Sequence, residues 1–347
     1  MLLYGALLFL LAVLAGAMLN VVSASLGLGL LPSFPGSEWF FILKNTIATA
    51  VLWSIVAAIF GFGLLMFRER RRRKQLVTVS RPMRQPLPQP CIAVALTAYN
   101  DELSIAGAVR DFKEQPGVES VIVVDNNCHD ETAQRAGAAG AQVVREPLQG
   151  YGYACRRGLS EALATGADII VLSEGDGTFS AHDIAKLVPF LADADMVMGN
   201  RITPGLVDRE SQMDTFFVWG NQLGAKLLQL RFWDWRFMGK VRISDLGCTF
   251  RAIRREALAE IIDELGVGGS HFSPEMIMVS LRKGQTVVEV PVTFWPRVGV
   301  SKGASNLIKA LAIGISMFWM ILSFPMTVRT ALPEPQHSLL HTWWPRR

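Results

Sequence analysis

The chain opens on residues that are apolar all round. Residues 1–22, MLLYGALLFLLAVLAGAMLNVV, carry no charge, and the first charged side chain is Glu38. A second such run, NTIATAVLWSIVAAIFGFGLLMF, covers 45–67. Each is long enough to cross a hydrocarbon core of about 30 Å as a helix. Neither has the one-sided stripe of a helix packed on a soluble core. From residue 91 the pattern changes. CIAVALT (91–97), VESVIVVD (118–125), AQVVRE (141–146) and ADIIVLSE (167–174) are short apolar runs that predict strands. DELSIAGAVRDFKE (101–114), the segment 130–139 and YGYACRRGLSEALATG (151–166) predict helices between them. HDIAKLVPFLA and DMVMGN continue the alternation to residue 200. Repeated βα units predict an α/β domain with a mainly parallel sheet and helices on both faces. Such sheets bind ligands at the carboxyl ends of their strands.

Charge sets the orientation of the apolar hairpin. Directly after it comes RERRRRK (68–74), with six basic residues in seven. Positive charge marks the cytoplasmic side of a span, so both ends of the hairpin are expected inside, with the domain that follows cytoplasmic. A cleaved signal peptide does not fit, because a basic n-region is missing and a second span follows. Composition agrees: of 347 residues half are hydrophobic and 18% charged, against about 25% charged in soluble domains. The net charge of +4 is too small to argue for nucleic acid. Four cysteines, Cys91, Cys128, Cys155 and Cys248, are widely spaced with no CxxC, which excludes a zinc ribbon or a disulfide scaffold. The expected organisation is a transmembrane hairpin over 1–74, a linker with four prolines over 75–90, an α/β domain over 91–303, and a tail over 304–347. In the tail, NLIKALAIGISMFWMILSFPM (306–326) is followed by Arg329, Arg346 and Arg347. A third span would put those charges outside. A helix lying in the cytoplasmic membrane interface is therefore expected.

The strand-end rule singles out acidic residues. Asp125 ends the second predicted strand, and Glu174 and Asp176 follow the fourth. Two carboxylates one residue apart can hold a hard divalent cation that completes its shell on substrate phosphates. A dinucleotide fold would need GxGxxG after the first strand, and AYNDE stands there. Gly150 and Gly152 either let a backbone approach a phosphate or shape a turn. His182 and His271 have no partner motif and read as structural.

The order of motifs resembles family 2 glycosyltransferases of GT-A fold, most closely the dolichol-phosphate mannose synthase and polyprenyl-phosphate glycosyltransferase branch. The likeness covers roughly 91–322. ALTAYNDE is similar to the family's PAYNE segment, with Thr97 for proline and Asp101 for glutamate. VIVVDNNCHDET resembles VVDDGSTD and keeps Asp125 and Asp130. GYGYACRRGL resembles GKGAALRAGL, with Tyr151 for lysine. SEGDGTF stands in the place of DxD. MGNR, SDLGCTFRAIRREAL and EVPVTFWPRVGVSK resemble the GSR, DxxSGFR and VPITFRPRxGxSK segments.

The resemblance implies a Rossmann-like GT-A domain and an inverting transfer of sugar from a UDP or GDP donor to a polyprenyl phosphate. It places Thr97, Tyr99, Asp101 and Asp125 at the nucleotide, and Glu174 and Asp176 at Mg²⁺ or Mn²⁺. Arg201, Arg297, Ser301 and Lys302 would meet the acceptor or the diphosphate. Asp245, Asp176 and Arg251 are the implied catalytic residues. Asp245 would orient the acceptor or stabilise an arginine, or act as base if the acceptor were a hydroxyl. Cys128 and Cys248 fall inside motifs without a histidine pattern that would make them nucleophiles. Two other readings stand beside this one. One is a transferase with a lipid or saccharide hydroxyl acceptor. The other is an inactive sugar-nucleotide binder. The few spans and the absence of a QxxRW motif argue against polymer synthesis.

Overall fold

The computed structural model describes residues 87, 89–208, 211, 215–233, 241–298 and 307–326. The expected hairpin over 1–74, most of the linker and the end of the tail lie outside the described residues.

Strands β1 (Ile92–Ala98), β2 (Val118–Asp125), β3 (Gln142–Arg145), β4 (Ile169–Glu174), β5 (Met196–Asn200), β6 (Arg251–Arg254) and β7 (Val287–Pro291) form one sheet in the order β3-β2-β1-β4-β6-β5-β7. β1 is central and buried along its whole length, as a continuous apolar run in a doubly covered sheet should be. Pairing is parallel except at β6, which runs antiparallel to both β4 and β5. The sheet is therefore mixed, though mainly parallel. β6 reverses because the 241–250 segment returns along the site before re-entering the sheet.

Period-two alternation splits the core into two. Ala93, Ala95 and Ile170 face one cluster with Leu159 and Met276, while Val94, Leu96 and Val171 face the other with Val109 and Phe112. The first lies under α3 (Tyr151–Ala164) and α7 (Phe272–Arg282), the second under α1 (Ile105–Lys113). Helix α2 (Thr132–Ala138) precedes β3. The expected helix at 182–192 is only one turn, α4 (Ile184–Leu187), because Pro189 lacks the N–H to continue it. Helices α5 (Thr215–Arg231), α6 (Arg255–Ala259) and α8 (Leu307–Ser323) complete the described elements. α8 packs on α5 and α7. Among the described residues no helix is long and apolar enough to cross a membrane.

Gly150 and Gly152 turn out to serve packing. The Gly152 N–H donates to Gly268 O at 2.8 Å, and a Cβ at Gly152 would strike the carbonyl of Val267. The start of α3 is thus pressed against the 266–268 loop, with no room left between them. Gly152→Ala should destabilise the domain by about 1–3 kcal/mol through overpacking, read from denaturant unfolding. A neutral substitution would show that this loop yields freely.

Candidate functional site

Three strand ends stand level. Thr97 is in register with Glu174 across β1 and β4, and Ala98 with Asp125 across β1 and β2. Beyond them the chain turns through Asn100 (φ 52°) and Asn127 (φ 61°), left-handed positions that asparagine tolerates better than most residues. The two turns are tied together. The His129 N–H donates to Asn100 Oδ1 at 2.8 Å, and the Asp101 N–H to Thr132 Oγ1 at 2.8 Å. Asp125 Oδ1 accepts from the Cys128 N–H at 2.8 Å. The structure therefore brings Thr97, Tyr99, Asp101 and Asp125 together at these neighbouring strand ends. Asp101 Oδ2 accepts from the Tyr99 N–H at 2.9 Å, and α1 starts only at Ile105.

Asn126 organises the neighbouring loop. Its Nδ2 donates to Leu148 O at 2.7 Å and to Glu146 O at 3.2 Å, and its Oδ1 accepts from the Gly150 N–H at 2.9 Å. An amide can donate and accept at once, which a carboxylate cannot. Asparagine at this position thus anchors the run into α3.

Glu174 and Asp176 sit at the floor of the site. Asp176, 2% exposed, accepts from Thr178 Oγ1 at 2.6 Å and the Thr178 N–H at 3.1 Å. Glu174 Oε1 accepts from Thr249 Oγ1 at 2.6 Å, and Thr249 in turn bonds the Tyr151 hydroxyl. Burial, reinforced by the charge of Asp176, pushes the Glu174 carboxyl up to about 7. Among the described residues no cluster of three potential metal ligands occurs. A two-carboxylate donor set suits a hard cation that takes the rest of its shell from phosphate and water.

Two arginine–aspartate pairs flank this floor. Arg201 meets Asp245 through both guanidinium edge nitrogens, Nε to Oδ2 at 2.8 Å and Nη2 to Oδ1 at 2.9 Å, and its own N–H donates to Oδ2 at 2.9 Å. The fork-to-fork geometry is the strong form of this pair. Arg297 ties Asp101 to the floor, with Nη2 to Asp101 Oδ1 at 2.9 Å and Nη1 to Asp176 Oδ2 at 3.4 Å. It is brought there by the segment after β7, where the Trp295 N–H donates to Thr178 O at 2.8 Å and the Val298 N–H to Asp176 O at 3.3 Å. Both arginines are within electrostatic reach of Glu174.

Arg251 is placed elsewhere. It is fully buried and donates to the backbone carbonyls of Cys248, Thr249 and Ser273. It braces the chain behind Thr249, and the structure does not bring it to the open side of the cluster. Ser301 and Lys302 lie outside the described residues. Burial pushes the thiols of Cys128 and Cys248 up to about 12, so neither is a ready nucleophile. Motif reading overlooked Thr249, which sits inside a matched motif as a hydroxyl bonded to Glu174.

Comparisons with known proteins give the family and the fold. The model of the family described as Glycosyl transferase family 2 matches residues 93–262. An uncharacterized glycosyltransferase of Mycobacterium tuberculosis is 30% identical over 235 residues, 67% of this chain and 98% of that protein. A dolichyl-phosphate hexose transferase of Haloferax volcanii is 27% identical over 212 residues, 61% of this chain and 86% of that protein. Among solved structures, glucosyl-3-phosphoglycerate synthase from Mycobacterium tuberculosis, in complex with Mn²⁺, UDP and phosphoglyceric acid, superposes with a TM-score of 0.51. It is 20% identical and covers 72% of this chain and 86% of its own. That likeness shows the GT-A fold.

The raised Glu174 carboxyl has a consequence for the cation-free protein. Its pKa is about 7 in the folded chain against 4.5 for an ordinary glutamate. Between those values the folded chain holds a proton that the unfolded chain has released. Its stabilising contribution is complete below about pH 4.5 and is lost as pH rises through 7. In EDTA the unfolding midpoint should therefore fall between pH 5 and 8, and Glu174→Gln should flatten that slope. A slope unchanged in the variant would remove the assignment.

Proposed function

The chain belongs to glycosyl transferase family 2, and we propose that it moves a sugar from a nucleoside-diphosphate donor onto a polyprenyl phosphate at the cytoplasmic face of a membrane, with inversion. The observation that carries the acceptor is the state of Asp245. Both its oxygens are taken by Arg201, and Oδ1 also accepts from the Gly247 N–H at 3.2 Å. Oδ2 also accepts from the Arg201 N–H, so Asp245 has no oxygen lone pair left to face a hydroxyl nucleophile, as a general base must. A phosphate monoester needs no base, because its second pKa is about 6 and it is ionised near neutrality. The name of the Haloferax volcanii relative agrees with this choice.

On this reading the acceptor phosphate oxygen forms a bond to the anomeric carbon while the bond from that carbon to the donor diphosphate breaks. Thr97, Tyr99, Asp101 and Asp125 receive the nucleoside. Glu174 and Asp176 would hold Mg²⁺ or Mn²⁺, which supplies charge compensation for the leaving diphosphate. Arg297, already against Asp101 and Asp176, belongs on the diphosphate side. Arg201, oriented by Asp245, is the cation for the acceptor phosphate, with Ser301 and Lys302 as its expected companions. Arginines presented to developing charge in a water-poor site do more than the same groups in water.

Membrane attachment rests on the two uncharged runs, the basic segment 68–74 and the helical surface. α8 exposes Ile315 and Trp319, and α5 exposes Trp219, Leu223 and Leu230. Large exposed apolar side chains on neighbouring helices suit the headgroup boundary. At 17 residues and about 1.5 Å per residue, α8 is shorter than a hydrocarbon core.

The test is incubation of the full chain with a panel of nucleotide sugars and polyprenyl phosphate, followed by mass analysis of the lipid. One hexosyl addition is expected. Asp176→Asn should lower turnover by about 100-fold or more. Transfer only to a hydroxyl acceptor would overturn the phosphate reading.

A further inference from the structure

Glu289 lies half-buried on β7, opposite Met198 of β5, and belongs to none of the groups assigned above. Its carboxylate gathers three donors from two consecutive residues. The Ser244 N–H reaches both oxygens at 3.0 Å, Ser244 Oγ donates at 2.7 Å, and the Asp245 N–H donates at 2.7 Å. Ser244 Oγ also accepts from Asn200 Nδ2 at 2.6 Å, and Asn200 Oδ1 accepts from the Ile202 N–H at 2.8 Å. Arg201 stands between Asn200 and Ile202. The end of β5 and the middle of β7 thus grip both partners of the Arg201–Asp245 pair through one connected set of hydrogen bonds.

The segment 241–249 has no helix or strand of its own, so its backbone N–H groups need acceptors from elsewhere. Glu289 accepts from two of them, the N–H groups of Ser244 and Asp245. A carboxylate is required because every partner is a donor. Glutamine would turn its NH₂ toward at least one backbone N–H in either orientation. The bond from the Asp245 N–H holds that residue's main chain against β7, and Arg201 cannot leave the Asp245 carboxylate without losing a paired bond.

We infer that Glu289 is a positioning residue for the transfer, setting the direction in which Arg201 faces the acceptor phosphate by locking Ser244 and Asp245. The identity of that acceptor rests on the function proposed above; the locking of Arg201 does not. The test therefore has two arms on the full chain. In the first, phenylglyoxal labelling of Arg201 is followed by peptide mass mapping, with no acceptor present. Glu289→Gln should label Arg201 several-fold faster than wild type, and Glu289→Asp, which keeps an acceptor-only group, should lie between them. In the second, Glu289→Gln should lower kcat/KM for polyprenyl phosphate by about 10–100-fold, the scale of a small misplacement, with donor KM within about threefold. In an Arg201→Lys background the same substitution should cost little, because coupled residues are not additive. Unchanged labelling of Arg201, or an equal penalty in both backgrounds, overturns the role of Glu289. Failure of the wild type to glycosylate polyprenyl phosphate, with labelling as expected, overturns the acceptor and leaves Glu289 in place. A uniform fall in both substrates' kcat/KM with a lowered unfolding midpoint also counts against positioning, since it marks a general loss of structure.

Discussion

Carboxylates crowded at the ends of three parallel strands are the constraint around which the rest of the site is arranged. Asp101, Asp176 and Asp245 are nearly or wholly buried, and ionised carboxylates out of water are costly unless paired. The chain answers with two arginines. Arg201 takes both oxygens of Asp245, and Arg297 spans Asp101 and Asp176. Glu174 is compensated least, and its carboxyl rises to about 7. A site in that condition is suited to receive a cation together with a diphosphate, which adds positive charge at the acidic floor and negative charge beside the arginines.

The fold supplies the geometry at low cost. Register across β2, β1 and β4 brings Asp125, Thr97 and Glu174 to one level. The reversal into β6 carries Asp245 and Thr249 past those strand ends, and β7 then delivers Arg297 on its way toward α8. Thr97, Asp125 and Glu174 stand at or next to the ends of their strands, and Asp101, Asp176, Arg201 and Arg297 lie on the loops beyond. Thr132 holds this group from the start of α2, Asn126 from just past β2, and Glu289 from the middle of β7.

Much of this was legible in the chain. The run VESVIVVD forms β2 over the residues its apolar pattern marks, and the strand-end rule pointed to Glu174 and Asp176, which stand at and just past the end of β4. What escaped was long-range partnership. Thr249 lies 75 residues from Glu174 and 98 from Tyr151, and Glu289 lies 44 from Asp245. No local pattern announces such bonds. Arg251 was misleading for the opposite reason, since an arginine inside a matched motif is as readily a brace for carbonyl oxygens as a contact for phosphate. The early start expected for α1 failed because Asp101 spends its carboxylate on Tyr99 and Arg297 instead of on a helix N-terminus.

The most direct measurement is calorimetric titration of UDP and GDP into the full chain, in Mn²⁺ and in EDTA, with Asp176→Asn beside the wild type. A floor that awaits a cation and a diphosphate together should bind one nucleotide at least about tenfold more tightly with Mn²⁺, and Asp176→Asn should lose that gain while keeping its fold. Equal affinity in Mn²⁺ and EDTA for both proteins would contradict the account.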